Sequence, residues 1–203
     1  MTNEEMDQWG RLLIDAEPWK HLDHIKGARE LTALWLEGKS TFYPAWLNPT
    51  PAEETKLITD ELVALNRAGL WTTGSQPGIH EGSERLRQRN YVTGYVHVDV
   101  AYSLDTLLLH TDLVNFFGNG EDRFSVPVSA KKDYAYTWLG RFKNLNETDY
   151  FERLARDTNL DFAAHIRLDA IEIQIFDPVW GRNDVLYPAL LDALAEIPAA
   201  EYL

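Results

Sequence analysis

The chain has 203 residues, 45% of them hydrophobic and including seven Trp, eight Phe and nine Tyr, enough for one domain with a packed core. Its formal net charge of −13 opposes contact with phosphate backbones, so nucleic acid is not an expected partner, and the lack of cysteine excludes disulfides, thiolate metal sites and cysteine nucleophiles. The acidic start MTNEEMDQWG does not fit a signal peptide and no apolar run reaches the roughly 18 residues of a membrane span, so a cytoplasmic protein with no membrane partner is expected.

Residues 4–15 predict an amphipathic helix with Met6, Trp9, Leu12 and Leu13 on its apolar side. A second is predicted over 27–37, with Leu31, Leu34 and Trp35, and is stopped by Gly38. Residues 1–26 are read as an N-terminal helical arm and 27–203 as the domain proper. The segment STFYPAWLNP has two prolines and no period, which predicts an ordered connection. Thr50, Pro51 and Glu53 then combine an N-cap, a proline at the first helical position and a capping-box acid, and Gly69 closes the pattern. One helix over 51–68 is predicted, with Thr55, Ile58, Leu62 and Leu65 as its buried stripe.

LWTT reads as a short strand and RNYVTGYVHV as another, separated by the turn-rich GSQPGIHEGSE. Residues 103–117 predict a helix closed by Gly118. SVPV and DYAYTWL predict short strands, NETDYFERLARD a helix, AIEIQIF a central strand that buries Ile171, Ile173 and Ile175, and 182–195 a last helix. Strands interleaved with helices predict an α/β (α+β) fold, a single domain with a mixed β-sheet flanked by helices.

General catalytic signatures are absent: there is no G-x-G-x-x-G, Walker A, G-x-S-x-G or H-E-x-x-H. His21 and His24 flank Asp23 as a metal half-site, but spacing places no third ligand, so no metal is expected. Glu30 and Glu37 read as a solvated helix face, and His80 with Glu81 as a surface-loop dyad.

Three blocks in order, LTALWLEGKS, PAEETKLITDELVALNRAGLWTTGSQPG and RQRNYVTGYV, resemble the C-terminal regulatory domain of eukaryotic-type methylenetetrahydrofolate reductases. AYTWLGRF and IFDPVWGRNDVLYPALL add weaker matches, and the likeness spans about residues 28–195. That domain binds S-adenosylmethionine or S-adenosylhomocysteine and regulates a separate catalytic barrel, which this chain lacks. The resemblance implies a ligand site formed by Glu54, Thr55, Thr72, Ser75, Gln76 and Thr137, with Gln174 where the family has a threonine, turned toward the ligand. Gly74 replaces an asparagine, the loop after Gln76 is shortened, and residues around 147–157 are extra.

The residues fit this implied site in part. Small hydroxyls can bond a carboxylate, ribose or adenine edge. Thr55 lies near a predicted helix start, whose free N–H groups suit a ligand carboxylate. Strict alternation would send Thr72 and Ser75 to opposite faces, so a bulge near Gly74 is required if both serve one site. The expected function is a freestanding S-adenosylmethionine- or S-adenosylhomocysteine-binding protein that senses or sequesters its ligand. The alternatives are an enzyme that cleaves or cyclises an adenosyl ligand with Glu54, His80 or Glu81 as acid/base groups, and a ligand-free interaction module whose arm and inserted helix serve a homodimer or a protein partner.

Overall fold

The computed structural model describes residues 3–44, 50–80, 86–118, 125–132, 134–140 and 148–198. The chain enters through α1 (Asn3–Ala16), a 3-10 turn (Glu17–His21) and α2 (Ile25–Leu36). A second 3-10 turn (Glu53–Ile58) leads into α3 (Thr59–Ala68), β1 (Trp71–Gln76) and β2 (Leu86–His97). Then follow α4 (Val98–Leu108), β3 (Val114–Gly118), the hairpin β4 (Val126–Lys131) and β5 (Tyr134–Leu139), α5 (Thr148–Asp157), α6 (Leu160–Asp169), β6 (Ala170–Trp180) and α7 (Leu186–Glu196).

The strand order is β3-β6-β2-β4-β5, with β1 also on β2. The class is α/β, as predicted, but every ladder among the described strands is antiparallel where a mixed sheet was expected. Parallel neighbours need a long crossover, whereas β1–β2 and β4–β5 are sequence neighbours that pair directly. β2 ties the sheet together. Its start, Leu86–Gln88, pairs with β4, and the stretch from Tyr91 onward pairs with β1 and β6.

One side of the sheet is covered by α2, α3, α4 and α7, which enclose Leu62, Leu65, Val92, Val96, Leu104, Ile173, Ile175 and Leu190. On the other side Trp19, Trp71, Tyr95, Phe162 and Ile166 form a second cluster, and Val128, Leu139 and Phe176 a third beneath the β4–β5 hairpin. Ile173 and Ile175 are fully buried and Ile171 partly so, which makes β6 the central strand that its alternation predicted.

Several predicted elements change shape. The helix predicted over 51–68 is broken: Thr55 N–H donates to the Ala52 carbonyl three residues back, Ile58 sits at φ −131°, and α3 starts at Thr59. The capping box at Thr50 is not used, since the 3-10 turn begins after an extended Ala52 with no side-chain cap. The helix predicted over 103–117 is two elements. Thr111 bonds the Leu108 carbonyl through both its N–H and its hydroxyl, which stops α4 and frees the β-prone run VNFFG to pair with β6.

The helix predicted from 182 begins only at Leu186, because Gly181 takes φ +78° and turns the chain. α6, capped by the Asn159 side chain on Phe162 N–H, was not anticipated. At the other end, the segment read as an arm is built into the domain: Trp19 and Leu22 are buried, and Asp15 accepts from the N–H and hydroxyl of Thr41. Leu13, expected on the apolar side of α1, is 65% exposed, and the side chains of Met6 and Trp9 lie outside the described residues.

Truncating Ile173 to Ala should lower unfolding stability by about 2–4 kcal/mol, read as a shift in denaturant midpoint at constant slope. Leu13→Ala should move it by less than about 0.5 kcal/mol, because α1 leaves that side chain in water.

Candidate functional site

Beside β1 lies a cavity of about 280 Å³, bounded by α2, the 3-10 turn ahead of α3, and the strand itself. Five of the seven site residues implied by the resemblance line it: Glu54 and Thr55 from the turn, and Thr72, Ser75 and Gln76 from β1. Trp35 and Tyr43 add an aromatic wall, their rings 4.8 Å apart, and the Tyr43 hydroxyl donates to the Thr72 carbonyl at 3.1 Å.

The required bulge is present. Thr72 pairs with Gly94 and Ser75 with Val92, while the register shifts between Thr72 and Gly74. Because Gly94 and Val92 are two residues apart, their partners point to the same side of the sheet, and the extra residue restores what strict alternation forbids.

The hydroxyls in the cavity differ in what they already do. Thr72 is held by Asn66, a residue passed over in the sequence. Asn66 Oδ1 accepts from Thr72 N–H at 3.2 Å, and its Nδ2 donates to the Thr72 hydroxyl oxygen at 2.7 Å and to the Leu62 carbonyl at 2.8 Å. The Thr72 oxygen therefore accepts from inside the fold and keeps its own proton for another acceptor. The signal for Asn66 was available: it lies four residues after Leu62, on the buried stripe of α3, and a polar group there must find partners. For the hydroxyls of Thr55 and Ser75 no partner is found among the described residues.

Among the described residues that line the cavity, Glu54 is the one carboxylate, and no Lys, Arg or His accompanies it. Its Oε1 accepts from Gln76 Nε2 at 3.4 Å. Gln76 Oε1 accepts in turn from Gln88 Nε2 at 3.0 Å, and Gln88 Oε1 from the Ser129 hydroxyl at 3.0 Å. This polar relay runs from the cavity along the sheet to Ser129, the β4 partner of Thr137. Thr137 itself sits on β5 and is not a lining residue.

Gln174 is the second departure. It pairs with Thr93 while Ile173 pairs with Gly94 and Ile175 with Val92, so it faces away from Thr72 and Ser75. Period-two alternation allows nothing else once the two isoleucines take the helix-covered side. Its amide is satisfied within the protein, accepting from Gly140 N–H at 2.7 Å and donating to Glu172 at 2.9 Å.

Thr55 also loses the helix start expected of it, since a short 3-10 turn carries it and its N–H is already bonded. His80 packs against Gly181 away from the cavity, and Glu81 lies outside the described residues. His21 pairs with Glu17 at 3.0 Å, His24 faces the ring of His165 at 6.2 Å, and no group of three potential metal ligands occurs among the described residues. Glu37, bonded by Lys39 and Arg67, holds its carboxyl below the usual range, and Glu30 meets Arg67 at 3.5 Å, so both belong to an ion-paired surface.

The sequence matches, over residues 14–197, the model of a family described as a domain of unknown function, DUF6919. The chain belongs to the DUF6919 family. A comparison with curated proteins finds no match. No helix among the described residues of this DUF6919 domain is long and apolar enough to cross a membrane.

Replacing Asn66 by Ala strands a buried N–H and a hydroxyl on Thr72, so it should cost about 1–3 kcal/mol and speed amide exchange at Thr72. Tyr91, paired with Gln76 on β2, gives a pH test. Burial pushes its phenol up from 10.0 to about 12, with Tyr136 and Glu54 adding to the shift. The folded state then holds a proton that the unfolded state has lost, so this contribution is complete below pH 10.0 and disappears as pH rises to about 12. In Tyr91→Phe the loss of stability across that window should be shallower than in the parent protein, as measured by denaturant unfolding at a series of pH values.

Proposed function

We propose that this DUF6919 domain binds S-adenosylmethionine or S-adenosylhomocysteine in the cavity beside β1, as a sensing or sequestering module related to the regulatory domain of methylenetetrahydrofolate reductases. One observation carries the reading: Glu54, Thr55, Thr72, Ser75 and Gln76, chosen by resemblance from two separate stretches of sequence, line one cavity. The chemistry agrees with it. A single carboxylate with no accompanying cation among the described lining residues suits a ligand bearing an ammonium or sulfonium and disfavours a phosphorylated one. Thr55, Ser75 and the Thr72 proton supply hydroxyl donors for a carboxylate or ribose, and the Trp35–Tyr43 wall offers flat apolar surface to a purine.

The cavity is just under the roughly 300 Å³ at which small-molecule pockets usually begin, so a ligand of this size would extend through its mouth. Binding is the simpler reading of a cavity whose described lining is made of hydroxyls, amides, aromatic rings and one carboxylate.

Calorimetric titration of the protein with S-adenosylmethionine, followed by mass spectrometry of the mixture, tests the reading. Saturable binding with the ligand recovered intact is expected. Thr55→Ala should weaken it by about 1–3 kcal/mol, and Glu54→Gln by a similar amount, with the ligand-free melting temperature unchanged. Recovery of cleaved or cyclised product would make the domain an enzyme, and no heat of binding would reject the ligand.

A further inference from the structure

We infer that Gln88, a buried residue of β2 outside the cavity lining, is a positioning residue for the candidate site: it sets the direction of the Gln76 side-chain amide, so that Gln76 turns its donor end to Glu54. The effect on a ligand rests on the reading of the cavity as a binding site; the direction of the amide does not. A glutamine amide has a donor end and an acceptor end of nearly the same shape, so only its surroundings decide which way it points. At Gln88, 5% exposed, one direction works. Its Nε2 lies 2.8 Å from the Pro77 carbonyl oxygen, which can only accept, and 3.0 Å from Gln76 Oε1. Both protons of Nε2 are thereby used, and Oε1 at the other end accepts from the buried Ser129 hydroxyl at 3.0 Å. A reversed amide would set oxygen against oxygen at Pro77 in a buried place and strand that carbonyl.

The Pro77 carbonyl is itself held. The peptide unit that joins Pro77 to Gly78 donates its N–H to Asn183 Oδ1 at 2.6 Å, and Asn183 Nδ2 donates to the Gly78 carbonyl at 3.0 Å. A peptide unit is planar, so a fixed N–H on one side fixes the carbonyl on the other. Gly78 also sits against the chain after β6, where a Cβ would come within 2.8 Å of the Gly181 carbonyl carbon. The Gln88 backbone is tied to the same two segments, its carbonyl accepting from the N–H groups of Ile79 and Gly181 at 2.9 Å each. Direction therefore passes from fixed backbone to Gln88 and from Gln88 to Gln76, and it leaves Gln76 Nε2 3.4 Å from Glu54 Oε1. A donor there holds the carboxylate at the cavity, whereas an oxygen there would push it away.

The test is a double-mutant cycle on the full chain, read with and without ligand. Without ligand, nuclear magnetic resonance follows the side-chain N–H₂ of Gln76. Glu54→Gln should shift that signal in the parent protein and leave it nearly unmoved once Gln88→Met has released the amide. With ligand, calorimetry should show Gln88→Met weakening S-adenosylmethionine about fivefold, and by less than about twofold when Glu54→Gln is already present. Asn183→Ala, at the exposed end of the chain of bonds, should give a smaller loss of the same kind, and it carries the cycle if Gln88→Met lacks a cooperative melting transition. A Gln76 signal that responds to Glu54→Gln equally with and without Gln88 would overturn the inference. So would a loss of affinity just as large in the Glu54→Gln background, which would make Gln88 a general support of the fold. If the parent protein gives no heat with S-adenosylmethionine, the ligand reading falls and the ligand-free cycle alone decides whether Gln88 directs Gln76.

Discussion

Gly94 leaves no room for a side chain: a Cβ there would lie 2.2 Å from the carbonyl oxygen of Trp71 and 2.9 Å from the Leu70 side chain. This close approach fixes β1 against β2, and the geometry of the cavity follows from it. With Thr72 seated opposite Gly94, the extra residue Thr73 has to be absorbed before Gly74 meets Thr93, and that bulge turns Thr72 and Ser75 to one side. Gly74 is constrained as well, since a Cβ would come within 2.9 Å of the Thr93 hydroxyl oxygen. Two glycines on facing strands thus do by absence of side chains what no side-chain contact could do.

Asn66 holds the other border of the same strand. β1 has a paired edge toward β2 and another toward α2 and α3, and an open backbone edge next to a cavity would be a weak wall. The Asn66 amide closes it at Thr72 from the helix side, and Tyr43 closes the Thr72 carbonyl from the connection after α2. The wall is stiff at Thr72 and unengaged at Ser75, which is the arrangement a binding surface needs: positioned groups whose hydrogen-bonding capacity is not yet used.

The two ends of β2 carry different environments. From Tyr91 onward the strand lies between the helix layer and the α5–α6 side, and its inward residues are apolar. At its start Gln88 is buried in a hydrogen-bonded set with Gln76, Pro77 and Ser129, while Arg89 stacks 4.4 Å from the Trp180 ring and donates to the carbonyls of Pro178 and Pro127. Burial lowers the pKa of this guanidinium, and Arg87 nearby adds to the effect. Polar chains of this kind join the cavity wall to the hairpin β4–β5 alongside the Val128–Leu139–Phe176 cluster beneath it, so directional bonds as well as apolar packing tie the hairpin to the rest of the sheet.

The sequence by itself determined the fold class, most of the element order, the closure of α3 at Gly69, the buried Ile173 and Ile175, and the two stretches that meet in the cavity. The first four rest on local signals, periodicity and the glycines that end helices, whereas the two stretches rest on a resemblance of motifs in order along the chain. It misjudged what local signals cannot weigh. Thr50, Pro51 and Glu53 form a capping pattern, yet the chain breaks at Ile58 and restarts at Thr59; VNFFG continues an apolar run, yet its partner β6 makes it a strand. Only the tertiary structure decided that the sheet is antiparallel throughout, that Asn66 clamps β1, and that Gln174 and Thr137 stand apart from the five residues at the cavity. Each of those depends on which strand lies beside which and in what register, and register is set by contacts between residues far apart in sequence.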